Sequence, residues 1–383
     1  MTKLRERVQA DGPKHILTLD GGGIRGIITL EILHKIEKLL QKKLNRKNDF
    51  VLADFFDFVA GTSTGAIIAA CISMGMSVDK IKRFYMESGR TMFDKASLLR
   101  RYRYKYEDDN LAEMLRKVIH SEIGVAANEE VTLGSPYLRT LLMMVMRNST
   151  TDSPWPVSNN PFAKYNQIDR DDCNLELPLW QLIRASTAAP VYFPPEVVRV
   201  GPEKEKEFIF VDGGITPYNN PSFQSFLMAT VEPYKLEWQT GEDKMLLVSI
   251  GTGTSPDANA DLNPSEMNLL YNASSLPSAL MFASLNEQDL LCRVFGNCLA
   301  GDHLDNEIGD LISINGPVSP KLFTYLRYNA ELTRTGLDLL DLPDVNPKDV
   351  QKLDSVENIA DLQRVGRTVA KHKVKAYHFD RFA

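Results

Sequence analysis

Two short glycine-bracketed stretches decide how this chain is read: Asp20-Gly21-Gly22-Gly23-Ile24-Arg25-Gly26 and Gly61-Thr62-Ser63-Thr64-Gly65. The first is a run of backbone amides with almost no side chains between them, a shape able to hold an anion. The second matches G-x-S-x-G, in which a serine sits in a strained turn between a strand and a helix. Glycine is required at both ends of that turn because side chains there would collide with the neighbouring strand and helix. Ser63 would then meet the first amides of the following helix, whose dipole favours developing negative charge. A nucleophile and an oxyanion cradle are two of the three parts an acyl-transfer enzyme needs. The third, a base, has a candidate in Asp212 of Val211-Asp212-Gly213-Gly214.

Working outward, residues 15–20 read as a short buried strand that the glycine run turns into a helix. Over 24–44, Ile24, Ile27, Ile28, Ile36, Leu39, Leu40 and Leu44 fall mostly on one helical stripe, with Lys42, Lys43, Arg46 and Lys47 at its end, where cations suit the dipole. Residues 55–60 form the next expected strand, followed by the serine turn and a small-residue helix over 66–74. This strand–turn–helix unit, used twice, implies a parallel sheet with helices on both faces. Further helices are expected over 78–92, 110–119 and 177–185, and strands over 138–146, 208–211 and 245–250. After Gly253 the sequence turns polar, and the remainder reads as mainly helical, most clearly over 276–295.

The bulk numbers fit a globular protein. At 383 residues, 43% hydrophobic and 25% charged, the chain can bury a sizeable core. A net charge of -6 argues against broad DNA or RNA binding. Cys71, Cys173, Cys292 and Cys298 are too scattered for a disulfide framework. The first twelve residues lack an apolar core of the secretory type, and the longest uncharged apolar stretch, 65–78, is too short to span a bilayer. A cytoplasmic protein is therefore expected.

Each motif has a plainer rival. Gly21, Gly23 and Gly26 also match the dinucleotide fingerprint G-x-G-x-x-G, the basis of an alternative reading as a dinucleotide-dependent oxidoreductase or a non-catalytic nucleotide-binding protein. That reading wants an acid at the end of the second strand, where this chain has Ala60 and the serine turn; Asp54 and Asp57 come earlier. Arg25 either faces a substrate anion or forms a structural salt bridge. Asp212 alone would read as a turn aspartate bonding its own backbone. As a base for serine it needs burial to raise its basicity. His303, His372 and His378, the histidines after Asp212, read as surface residues, and no spaced ligand set points to a metal. Arg100-Arg101-Tyr102-Arg103 and the residues to Tyr106 alternate basic and aromatic side chains. They would suit a nucleotide or a lipid headgroup, although a half-exposed segment with cations folded over apolar surface is the favoured reading.

Taken together, Asp20–Gly26, Gly61–Gly65, the Ala185-Ser186-Thr187-Ala188-Ala189-Pro190 block to Pro194, Val211–Gly214 with Asn219-Asn220-Pro221, and Ser249–Gly253 resemble the ordered blocks of the patatin-like phospholipases. The resemblance implies a three-layer α/β/α fold with a mainly parallel central sheet over 14–253 and a largely helical C-terminal extension over 254–383. By motif match it implies a Ser63–Asp212 dyad without histidine, in an elbow of Gly61, Thr62, Thr64 and Gly65. Gly213 and Gly214 would support the dyad, and Gly21, Gly22, Gly23 and Gly26, with Arg25 beside them, would form the oxyanion hole. It also implies cleavage of phospholipid acyl esters at a membrane surface without cofactor or calcium. The chain looks closer to the bacterial cytosolic members, some of which are antiviral-defence effectors switched on by a cyclic dinucleotide. A restrained lipase needs a lid, for which 78–101 and 276–295 are the candidates, and Arg100–Arg103 is the candidate ligand contact.

Overall fold

α1 (Thr2–Gln9) leads into β1 (Lys14–Leu19), which a 3₁₀ turn joins to α2 (Gly26–Lys43). β2 (Phe58–Thr62), α3 (Thr64–Ser73), α4 (Val78–Phe93) and α5 (Asn110–Ile123) follow, then β3 (Leu141–Asn148), β4 (Ser153–Ser158), α6 (Leu179–Ser186), β5 (Glu196–Arg199) and β6 (Glu207–Asp212). The chain continues through α7 (Ser222–Thr230), β7 (Met245–Ile250), α8 (Leu269–Phe295), β8 (Asn297–Ala300), β9 (Thr324–Tyr328), α9 (Arg334–Leu339), α10 (Pro347–Val350) and α11 (Ile359–Lys373). This computed structural model describes residues 2–47, 49–93, 110–126, 128–190, 193–202, 207–255, 263 and 269–383. The Arg100–Arg103 patch and the 94–101 end of the first lid candidate lie outside them.

The strands form one sheet in the order β5-β6-β3-β2-β1-β7-β9-β8, with β4 also on β3. β8, β9, β7, β1, β2 and β3 run parallel, and β4 and β6 run antiparallel to β3. Successive residues of the central strands enter two different cores, as the period of two requires. Leu17, Val59, Leu142 and Val248 pack on one face with α2, α3 and α11; Ile16, Phe58, Leu141 and Leu247 pack on the other with α1 and α7. The result is the three-layer α/β/α arrangement expected, with strands that are apolar on both faces.

Some boundaries differ from the sequence reading for local reasons. β2 starts at Phe58 because the amides of Phe55 and Phe56 both close back on Leu52 O at 3.0 Å. Asp57 is then taken up by Arg7 Nε and the His15 amide, each at 3.0 Å. β4 carries Pro154 and Pro156, which argue against a strand in the sequence. It is tolerated because it lies along one side of β3, where proline can face away from the ladder.

The region beyond residue 253 is helical where expected, but it also supplies β8 and β9 to the same sheet. Tyr325, Leu326 and Tyr328 are fully buried there, β9 pairs residue for residue with β7, and α11 packs on α2. The boundary at 253 therefore does not separate a finished sheet from an added extension. A chain ending at residue 253 would expose the β7 edge and the apolar face of α2. It is expected to lose its cooperative thermal transition by circular dichroism.

Candidate active site

A strand has two edges. β4 pairs with residues 143–148 of β3, so β2 and β6 must share the opposite edge. There β2 ends with Thr62 opposite Val145, and β6, running the other way, ends with Asp212 opposite Met146. The two strands meet end to end, and the residues at their tips are driven together. Ser63 Oγ donates to Asp212 Oδ2 at 2.6 Å.

The turn around Ser63 is strained and well supported. Ser63 has φ 54 and ψ -123, a conformation L-residues rarely adopt. Its amide donates to Ser186 Oγ at 3.0 Å, and that hydroxyl donates in turn to Val145 O at 2.5 Å. A Cβ at Gly61 would lie 2.1 Å from Gly65 O, and one at Gly65 would lie 2.3 Å from Leu19 O, so both positions must be glycine. Thr62 Oγ1 donates to Tyr218 O at 2.7 Å, and Thr64 Oγ1 lies 2.7 Å from the Tyr85 hydroxyl, which also donates to Thr64 O at 3.0 Å. Tyr85 thus ties α4 to the elbow, while the Val78 amide donates to Glu37 of α2, so the described part of the first lid candidate is anchored at both points.

Asp212 is a buried carboxylate, with Oδ1 accepting the Gly214 amide at 2.7 Å. A Cβ at Gly213 would sit 2.3 Å from Val145 O, which explains the glycine after the acid. Burial raises the Asp212 pKa to about 6, against the lowering effect of the hydrogen bonds from Ser63 and Gly214. The local backbone contact expected of a turn aspartate is therefore present, and the serine contact comes in addition to it.

The glycine run lies against this pair: a Cβ at Gly21 would be 3.3 Å from Ser63 Cβ. Not every amide in the run is available. Gly21 N–H donates to Asn219 O at 3.1 Å, Ile24 N–H to Leu353 O at 3.0 Å and Arg25 N–H to Gly22 O at 3.2 Å. The Gly26 amide closes back on Gly23 O and Ile24 O. Among the described residues, the Gly22 and Gly23 amides have no such partner, which leaves them as the run's available donors. Arg25 forms no salt bridge among the described residues, and its buried Nε has no described partner. It is buried, Nη1 donates to Gln351 O at 3.3 Å, and no described carboxylate pairs with it. Burial lowers its pKa to about 10, against the field of Asp20.

Other expectations resolve similarly. Asp54 pairs with Arg139 and Asp57 with Arg7, and β2 ends in Thr62, so the dinucleotide reading lacks the acid it requires. His303 and His372 are exposed, but His378 is not a surface residue. It is buried with Nδ1 2.7 Å from the Tyr328 hydroxyl, and burial lowers its pKa to about 4. None of the described histidines contacts Ser63 or Asp212, and no group of three potential metal ligands occurs among the described residues. The second lid candidate contributes Met281, whose Cε would lie 3.6 Å from a Cβ on Gly214. Sequence reasoning assigned no separate role to Asn219. Its fully buried side-chain amide has no described partner, and its Oδ1 would lie 2.4 Å from a Cβ on Gly21. The pair Asn219-Asn220 following the acid was the available signal.

The raised Asp212 pKa fixes the direction of the pH effects. A base must be ionised, so turnover is expected to rise with pH through about 6 and to fall away below it. Because the charged form is disfavoured in the folded state, this group lowers stability above that pH, and the penalty is relieved as pH falls toward the ordinary carboxylate range. Asp212→Asn should accordingly melt at a higher temperature than the parent at pH 8 while losing the pH-dependent rate. Gly61→Ala should cost about 3 kcal/mol in a denaturant titration through the forced backbone shift.

Comparison with known proteins shows the family. The family model described as "Patatin-like phospholipase" matches residues 17–224. Patatin-17 of Solanum cardiophyllum is 30% identical over 256 residues, covering 63% of this chain and 61% of that protein. Patatin-T5 of Solanum tuberosum is 27% identical over 317 residues, covering 75% and 77% respectively. The chain thus spans about three fifths of the length of several patatins it matches. Among solved structures, VipD from Legionella pneumophila aligns over 95% of this chain and 68% of its own at 15% identity, with a TM-score of 0.35, too low to add to the assignment. No described helix is long and apolar enough to cross a membrane. With its family match spanning β1 to α7 and enclosing both Ser63 and Asp212, this chain belongs to the patatin-like phospholipase family.

Proposed function

We propose that the protein hydrolyses acyl esters of membrane phospholipids through a Ser63–Asp212 dyad, as a phospholipase of the A type. The observation that carries this reading is the 2.6 Å hydrogen bond between Ser63 Oγ and Asp212 Oδ2 at the mouth of the glycine run. Ser63 Oγ attacks the ester carbonyl carbon as its proton passes to Asp212. The C=O π electrons move onto the carbonyl oxygen, and that oxyanion is met by the Gly22 and Gly23 amides and the positive end of α3. Collapse of the tetrahedral species expels the alcohol, which takes the proton from Asp212 and leaves an acyl-serine. Water, deprotonated by Asp212, then releases the fatty acid by the reverse sequence. A carboxylate with a pKa near 6 is a better base toward serine than an ordinary one, and the preformed donors supply the remaining stabilisation.

The reading places the enzyme in the cytoplasm and peripherally on the lipid surface. Activation by a cyclic dinucleotide in antiviral defence rests on the family resemblance alone. Titration calorimetry with a panel of cyclic dinucleotides tests it, and absence of heat removes it. For the hydrolase itself, a fluorophosphonate probe is expected to label Ser63. Ser63→Ala and Asp212→Asn should each reduce fatty-acid release from phospholipid vesicles at least ~10³-fold, read by mass spectrometry. Full activity in Ser63→Ala would sink the reading. Single replacement of His303, His372 or His378 should leave substantial turnover.

A further inference from the structure

Three consecutive glycines make a poor catalytic device unless something outside the loop immobilises them, because glycine samples both signs of φ freely. Oxyanion stabilisation needs donors fixed before the reaction begins. The anchors of Gly21–Gly23 can be read individually. Thr252 Oγ1 donates to Gly21 O at 2.8 Å, and Gly21 N–H donates to Asn219 O at 3.1 Å. At the exit, Ile24 N–H donates to Leu353 O at 3.0 Å. At the entry stands Asp20, fully buried, with its amide on Ile250 O at 3.1 Å.

The Asp20 carboxylate is gripped from a distant part of the chain. Arg327 of β9 donates through Nη1 to Asp20 Oδ1 at 2.9 Å and through Nη2 to Oδ2 at 2.6 Å, and Nη1 also donates to Ser249 Oγ at 2.8 Å. On its other side Arg327 Nε lies 3.9 Å from Asp289 of α8, whose carboxylate is itself held by Arg293 at 2.8 and 2.6 Å. Two acids and two arginines therefore form one buried, charge-balanced row beneath the cradle. A planar guanidinium on a carboxylate fixes both distance and rotation, which a single-point contact would not.

We infer that Arg327 is a positioning residue for the oxyanion cradle, acting through Asp20 to set the Gly22 and Gly23 amides. It lies outside residues 17–224 that carry the family match, and nothing local in its sequence marks it. The inference rests on the hydrolase reading above and adds that catalysis depends on the strand order at the far side of the sheet. Removing one member of the buried pair would strand the other charge, whereas replacing both with apolar groups leaves the Asp289–Arg293 pair intact and costs Arg25 only the more distant field of Asp20.

The test uses the full chain, with Asp20→Leu/Arg327→Met and Arg327→Lys as variants. Melting temperature, kcat and KM for vesicle phospholipid, the pH profile and the rate of Ser63 labelling by a fluorophosphonate are measured on each. For the double variant we expect a cooperative melt within a few degrees of the parent and kcat and labelling rate down about 100-fold. KM should stay within about threefold, and the acid limb should be unmoved because Asp212 is untouched. Arg327→Lys, which keeps the charge but loses the paired contact, should fall between, about tenfold down. Retention of kcat within about threefold in the double variant overturns the inference. So does a loss of kcat that merely tracks the loss of folded protein. Should the double variant not fold, unchanged kcat in Arg327→Lys overturns it and a tenfold fall at an unchanged melting temperature upholds it. Parent turnover that survives Ser63→Ala would defeat the hydrolase reading instead, a separate result from any of these.

Discussion

The site depends on one topological constraint, the sharing of a single edge of β3 by two strands of opposite direction. Because β2 and β6 meet there end to end, their C-terminal residues have nowhere to go but toward each other. A hydroxyl on one tip and a carboxylate on the other come within 2.6 Å without an intervening histidine. In a three-residue relay the imidazole spans the distance between serine and acid. Here the sheet itself closes that distance, and in the proposed hydrolysis burial would supply the basicity the imidazole otherwise provides.

This closure is held at some cost to stability. Ser63 stands in a left-handed conformation, Asp212 is a buried acid with an elevated pKa, and the Asn219 amide has no described partner. Each is unfavourable on its own, by about 1–3 kcal/mol. They persist because the surrounding strands over-determine the geometry: Leu17, Leu19, Val59 and Ala60 are completely buried, and the sheet cannot shift without opening both cores. The unfavourable groups cluster around the Ser63–Asp212 contact, and the apolar sheet offsets them.

The far side of the sheet is not an accessory. β9 covers the β7 edge, its Arg327 holds Asp20, and Leu353 O takes the Ile24 amide. α11 lies close on α2 because Gly366 has no side chain; a Cβ there would sit 2.8 Å from Glu31 Cβ and 3.0 Å from Ile28 Cα. The first turn after β1 is therefore clasped from the C-terminal region on one side and from the Asn219 loop on the other. The charged row Asp20–Arg327–Asp289–Arg293 replaces what would be an apolar contact with one that has a single rotational setting.

What the sequence determined by itself is the chemistry that arises within a few residues. The serine elbow, the glycine run, the acid before Gly213 and the buried strands read at 15–20 and 245–250 all follow from steric demands of a local turn or from an uninterrupted apolar run. Those demands leave their mark on adjacent letters. Only the tertiary structure decided which amides of the glycine run are available, since Gly21 is taken by Asn219 O and Gly26 by its own turn. It also decided that Arg25 points to Gln351 O, that proline-bearing β4 joins β3, and that β8 and β9 extend the sheet. These outcomes depend on partners tens to hundreds of residues away. No local pattern records a pairing that is settled by which strand edges are left to be filled once the two cores have closed.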